Sequence, residues 1–375
     1  MVPICDQSHY LLSLFVILII TTTTSSNFDK DIKTLTWSGG AIDWPCQSTK
    51  SIFKNSGKFI PKNVIATRAQ IYKDDAIVAL PRFRPGVPLT LAKTSLKEKT
   101  CQPTFTAFPC WTLQEEGNCQ ALQSVVDIFL DNQDILWVLD IGIVHTLENP
   151  VKRCPPKVMA LNVKTGKVLK IIDLSELVAP SSRLQYIVVD YDKDGDCFIY
   201  VSDAATRAIL VYDVKHGNGY RVVLPKVVGH GTPQRDVLYL ALAKKDTNGP
   251  TVLIFTYLSG KRLFSIRTEY LRRGSTSGRV HDLGPKPRKI VIVGTDNGAV
   301  VFFRFEGDED VYSWDTTVPF KAENFNLVHS APSCALSTHV FPDYKRGRMR
   351  VLASNFPDYI QGTIGCGAIQ TLAVL

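Results

Sequence analysis

Methionine is scarce, at 3 of 375 residues, and Asn-x-Ser/Thr acceptors are absent altogether, so no N-linked glycan is expected. No cysteines stand in a CxxC spacing, and no histidines form HxH or HExxH. That excludes thioredoxin-type redox centres, zinc ribbons and zincin hydrolases as motif-based readings. A GxSxG nucleophile elbow and a GxxxxGK phosphate loop are also missing. Long amphipathic helix patterns are nearly absent, and Leu174–Leu177 would form one turn at most. Charged residues make up only 21% and hydrophobic ones 45%, which rules out a disordered tether, a collagen or a coiled coil. Long apolar runs are limited to one, Leu11–Ile20, about half of the ~20 residues a spanning helix requires.

That run reads LLSLFVILII and passes into Thr21–Ser26, the pattern of a secretory signal peptide over residues 1–26. The stretch before it, MVPICDQSHY, departs from the pattern in having no Lys or Arg. Cleavage would remove Cys5 from the 9 cysteines, leaving an even number suited to an oxidised framework with 105 conceivable pairings. It would also remove Asp6 and raise the formal charge of +8 by one. The mature chain is therefore expected to be secreted, with no membrane attachment after cleavage. Its basic excess is spread along the chain and implies no nucleic-acid partner. Lys345, Arg346, Arg348 and Arg350 cluster beside Tyr344 and read as a solvated turn, with polyanion or matrix binding as the alternative.

Short β-branched and aromatic runs recur: AIVALPR from Ala76, ILWVLD from Ile135, CFIYVSD from Cys197, TVLIFTYL from Thr251, KIVIVGTD from Lys289 and MRVLASN from Met349. Their gaps are 59, 62, 54, 38 and 60 residues. Most lead through Gly, Asn or Asp into a second run, as in GTDNGAVVFFRF, which is a hairpin signature. A hairpin unit returning every ~40–60 residues predicts a propeller, because one four-stranded blade cannot bury both faces and radial packing lets each cover the next. Six anchors predict an all-β, six-bladed β-propeller forming a single domain over residues 27–375. A pair of β-sandwiches is disfavoured, since no Ser/Gly-rich or charge-run linker interrupts the pattern.

Several segments resemble the yellow / major royal jelly protein family of secreted insect proteins. They are NVIATRAQIYKDDAIVALPRFRPGVPLTL from Asn63, CQALQSVVDIFLDNQDILWVLDIG from Cys119, CPPKVMALNVKTGKVLK from Cys154 and GKRLFSIRTEYLRR from Gly260. The resemblance runs from about Trp37 almost to the end and implies a six-bladed propeller. Departures include a shortened segment from Arg221 to Leu242, and the WPC opening at Cys46 with Cys101 and Cys110, which suggests altered bridges. These features look most like the branch made by ovarian follicle cells for the eggshell.

Candidate sites weigh as follows. Asp190, Asp192 and Asp194 lie in DYDKDGD, the opening of a calcium loop, but Val201 stands where the bidentate Glu belongs, so a turn leading into a strand is favoured. His281 and Asp282 are neighbours whose side chains would point to opposite faces of a strand, so no acid–base pair is expected. Trp137 and Trp314 read as wedges between blades. The resemblance implies polar and aromatic contacts to biogenic amines near Asn355 and Phe356. Two bridges are expected, Cys334–Cys366, which would brace the last blade, and Cys119–Cys197. The favoured function is a non-catalytic matrix component of eggshell or cuticle, its partners other matrix proteins, with no cofactor. The alternatives implied by the resemblance are a dopachrome-converting isomerase and a binder of small aromatic amines.

Overall fold

The structure, a computed structural model, describes residues 34–97, 102–233, 235–246, 249–332, 334–365 and 367–375. The expected signal peptide, 1–26, lies outside the described residues. Residues Leu35–Leu375 form one compact unit, and it is all-β.

Its strands fall into antiparallel groups, each entered through one inner strand: β1 (Arg68–Tyr72), β2 (Val125–Leu130), β3 (Leu184–Tyr191), β4 (Leu238–Lys244), β5 (Ile290–Thr295) and β6 (Leu336–Asp343). From each, the chain steps outward through successive hairpins, as in Leu184–Tyr191, Cys197–Asp203, Ala208–Asp213 and Asn218–Val223. The groups starting at β5 and β6 are joined into one eight-stranded sheet by a single parallel pairing, Gly294 with Val340. Only glycine fits there: φ is +157°, and a Cβ would lie 1.8 Å from the Val340 carbonyl oxygen. The inner strands contact each other in chain order, and β6 also packs against β1.

The core consists of apolar layers between consecutive groups. Alternation along a strand sends neighbouring side chains to different layers. Thus Ile77 and Ala79 pack with Val125, Val138 and Met159, while Ala76, Val78 and Leu80 pack with Trp37, Phe341 and Leu352. Burial on both faces explains why these second strands read as continuous apolar runs. Trp137 (3% exposed) fills the layer between the β2 and β3 groups, and Trp314 (2%) the one between the β4 and β5 groups, as expected of wedges.

Five of the six sequence anchors are second strands. The sixth, from Lys289, is instead the inner strand β5, and the second strand of its group is Val300–Phe305. This misassignment accounts for the short 38-residue gap. Val291 and Val293 in the inner strand are as apolar as any second strand, so composition alone does not separate the two.

The amino-terminal strand Leu35–Ser38 pairs with Ile369–Val374 and completes the β6 group from the opposite end of the sequence. Helix α1 (Gln47–Asn55) was not foreseen. It buries no residue fully, and Phe53 packs at its inner side against Trp44 and Trp111.

The expected Cys119–Cys197 bridge is corrected to Cys119–Cys154, with Cα atoms 5.4 Å apart. The reason is local: Arg153 and Cys154 N–H both donate to Gly142 O, folding the segment before Lys157–Asn162 back toward Cys119. Cys197 instead opens a strand, paired with Tyr191 in the ladder. Cys334 is described, but Cys366 lies outside the described residues. Among the described residues no helix is long and apolar enough to cross a membrane.

Candidate functional site

The inner strands line a cavity to which β1 contributes Arg68, β2 Asp127, β3 Tyr186 and β6 His339. Strand alternation brings these four together, although they are separated by up to 271 residues in sequence. Arg68 is the hub. Its Nε lies 3.2 Å from Asp127 Oδ1, and its Nη1 donates to Thr67 O (2.8 Å) and Thr338 O (2.6 Å). The guanidinium stands over the Tyr186 ring, 5.0 Å from its centroid, and Tyr186 leans on Tyr239 at 5.2 Å.

Asp127 is 5% exposed, and burial pushes its carboxyl up to about 6 against the pull of Arg68 and two backbone donors. Those donors are the N–H groups of Ile187 (2.8 Å) and Ile128 (3.0 Å). His339 Nδ1 accepts from Ala69 N–H at 3.1 Å, so that nitrogen carries no proton. Burial, and then the nearby Arg68 charge, hold the imidazole well below its ordinary value. The cavity thus presents a neutral imidazole, an internally paired acid and an aromatic wall. Its free volume is about 70 Å³, roughly half the ~150 Å³ of an apolar cavity that takes up benzene.

A second cavity opens where the inner strands finish, lined by Asp131, Asp190, Tyr191, Lys244, Asn297 and Tyr344. Asp131 Oδ2 accepts from Trp137 Nε1 (2.7 Å) and the Tyr191 hydroxyl (2.6 Å). Asp190 is paired with Arg272 and accepts from Thr268 Oγ1 at 2.8 Å. Asp192 caps its own turn, its Oδ1 accepting from the N–H groups of Asp194 and Asp196, both at 2.9 Å. The three calcium candidates therefore serve two different structures, a salt bridge and a turn. Among the described residues no group of three His, Cys, Asp or Glu could hold a metal ion.

Asn355 and Phe356 line neither of these cavities. They begin the short helix α2 (Phe356–Gln361), where Asn355 Oδ1 accepts from Ile369 N–H (2.9 Å) and Phe356 stacks on Tyr359. The basic cluster is mostly neutralised. Lys345 and Arg346 reach Asp74 at 2.7 and 2.8 Å, and Arg350, only 2% exposed, pairs with Asp343 at 2.9 Å.

Asp127, Tyr186 and His339 were not singled out from the sequence. The usable signal was position: each lies in the run one hairpin away from an anchor, where alternate residues face inward.

Antiparallel groups entered from contiguous inner strands, enclosing a polar and aromatic cavity, define an all-β protein with its site on the inner strands. The major royal jelly protein family profile matches residues 123–373, and the chain belongs to that family, the one that includes the yellow proteins. The chain is 30% identical over 172 residues to a dopaminechrome tautomerase of Drosophila melanogaster, covering 44% of this chain and 37% of that protein. It is 23% identical over 343 residues to protein yellow of D. melanogaster, covering 84% and 63%, and 23% over 345 residues to protein yellow of D. subobscura, covering 84% and 60%. The matches thus span less than two thirds of each relative's length. Similar solved structures include regucalcin, a calcium-binding protein of Agrobacterium tumefaciens (TM-score 0.46, 14% identity, 83% of this chain and 90% of that one). Another is the Cps50 (Swd1) β-propeller domain of Myceliophteria thermophila (TM-score 0.44, 12% identity, 78% and 80%).

Proposed function

We propose that the chain is an exported six-bladed β-propeller over residues 27–375, freed of a signal peptide, that serves as a non-catalytic component of an extracellular matrix of the eggshell or cuticle kind. One observation carries this reading: the cavity's charges are satisfied by each other and by backbone, with Asp127 held by Arg68 and two N–H groups. A scaffold needs such internal compensation, whereas a ligand site leaves polar groups for its ligand. Family membership and the Cys119–Cys154 bridge agree with export. Immunolocalisation in the producing tissue tests it. Deposition in the matrix is expected, and protein confined inside cells would overturn the reading.

A second reading is favoured by the resemblance to a dopaminechrome tautomerase and by the presence of Asp127 and His339 on the lining of one cavity. Conversion of an aminochrome to its dihydroxyindole isomer moves one proton from each of two ring carbons to the two quinone oxygens, with no net oxidation, so groups that take up and return protons suffice. Purified protein would be incubated with dopaminechrome. Turnover above the spontaneous rate, lost in Asp127→Asn, would establish catalysis in place of the scaffold role. A carrier role for aromatic amines would appear as calorimetric binding of serotonin or dopamine.

A further inference from the structure

We infer that the second cavity, where the inner strands finish, is a binding site for a small organic carboxylate with an apolar or aromatic body. Its free volume is about 320 Å³, against about 70 Å³ around Arg68, and falls in the ~300–1,000 Å³ range of ligand pockets. Bonds between their elements bring four polar side chains together on its lining. Lys244 and Thr251 are direct partners in the antiparallel ladder, so their side chains share a face. Lys244 N–H donates to Gly298 O (2.9 Å), which seats the lysine beside the turn that carries Asn297. Asn297 Nδ2 in turn donates to the Tyr344 hydroxyl at 2.7 Å. Phe129 and Leu242 add apolar surface to the same cavity.

The ligand class follows from which polar atoms are left over. Asp131 is saturated. Its Oδ1 accepts from the N–H groups of Gln133 (2.8 Å) and Ile135 (2.9 Å), and its Oδ2 from Trp137 and Tyr191, which fills the four positions a carboxylate offers. Asp190 accepts from Tyr191 N–H (2.9 Å) and Thr268 Oγ1, and Arg272 meets its charge. A cationic amine therefore finds neither acid open. The donors are in the opposite state. Among the described residues Lys244 Nζ is in no ion pair and Thr251 Oγ1 in no hydrogen bond. The Tyr344 hydroxyl accepts from Asn297 and keeps its own proton to give. Three unused donors, one of them charged, suit an anion, and a carboxylate can accept charge-assisted bonds from them. Lys244 and Tyr344 are exposed, so the carboxylate belongs at the mouth and the apolar body against Phe129 and Leu242.

The test titrates the purified chain calorimetrically with indole-3-acetate and with tryptamine, probes that share a ring system and carry opposite charges. Indole-3-acetate is expected to bind more tightly, and added salt to weaken it, because the charge it meets faces solvent. Lys244→Met should weaken it about tenfold or more, while Lys244→Arg keeps most of the affinity. Lys245→Met removes the same charge from a neighbour that does not line the cavity and should change nothing. Tyr344→Phe should cost about threefold or more, and gives a second readout should Lys244→Met fail to fold. No heat with indole-3-acetate up to about 10 mM, roughly the weak end of specific binding, overturns the proposal. So does tighter binding of tryptamine, or equal weakening by Lys244→Met and Lys245→Met. The site is independent of where the chain is deposited: its failure leaves the matrix reading standing, and absence from matrix leaves the site standing.

Discussion

Arg346 Nη2 lies 2.8 Å from Asp74 Oδ1, tying the hairpin after β6 to the hairpin after β1 across 272 residues of sequence. Lys345 and Lys97 share the same carboxylate, and Arg346 also donates to Lys73 O. Lys345, Lys97 and then Arg346 hold the Asp74 carboxyl well below the usual range. A depressed folded-state value contributes stability above the unfolded value of ~3.9 and loses it as pH falls below that. Urea midpoints of the unaltered chain and Asp74→Asn should therefore differ at pH 6 and converge toward pH 3. Parallel curves would show that the tie is inert.

His339 titrates in the opposite sense to Asp127. The folded chain keeps the imidazole neutral below its ordinary ~6.5, so this group costs stability as pH drops under that value. Asp127, raised to about 6, holds its proton longer when folded, so its contribution falls as pH rises from ~4 through 6. His339→Asn keeps an acceptor for Ala69 N–H without taking up a proton. It should flatten the decline between pH 6.5 and 5, while Asp127→Asn should steepen it. Thermal melts across that window read both effects.

Arg82 is 2% exposed and donates to the carbonyl groups of Val87, Pro88, Gln114, Leu122 and Gln123. Burial lowers its guanidinium to about 10, so it remains charged at neutral pH. Arg82→Met would leave five carbonyl oxygens without this donor and should cost about 3–5 kcal/mol, or prevent folding. Denaturant titration checks the magnitude. A cost under about 1 kcal/mol would mean that water replaces the arginine freely.

Trp37, 4% exposed, sits on the amino-terminal strand that closes the β6 group, its ring meeting Phe105 edge-on at 5.7 Å. Trp37→Ala should destabilise by about 3–5 kcal/mol through lost burial and a residual cavity. It should also speed hydrogen exchange along Ile369–Val374, the strand's pairing partner. Exchange that speeds elsewhere first would contradict this closure.

The Cys119–Cys154 bridge closes a loop with a sequence separation of 35 residues. The chain-entropy model assigns such a loop about 4 kcal/mol. Replacing both cysteines by serine should lower the melting temperature accordingly. Non-reducing peptide mapping should recover Cys119 joined to Cys154, and a Cys119–Cys197 peptide would refute the assignment.

The repeat of short apolar runs was legible because burial of a strand on both faces leaves a local mark, a run of Ile, Val, Leu and aromatic residues ending in turn residues. The inner strands were harder to read. One face of β1 or β2 meets the cavity and admits Arg68 or Asp127, so their patterns are mixed, while the apolar β5 passed for a second strand. The basic cluster at Lys345–Arg350 looked available because its counter-charges, Asp74 among them, lie far away in sequence.

What the chain alone determined is its all-β character, its recurring hairpins and its family, because strand period, turn residues and local motifs are short-range properties. Only the folded arrangement decided which charges are neutralised, which cysteines meet and which side chains share the cavity. Each of these depends on distances between segments that a linear order does not contain. The meeting of Arg68 with His339, 271 residues apart in sequence, on the lining of one cavity is the plainest instance.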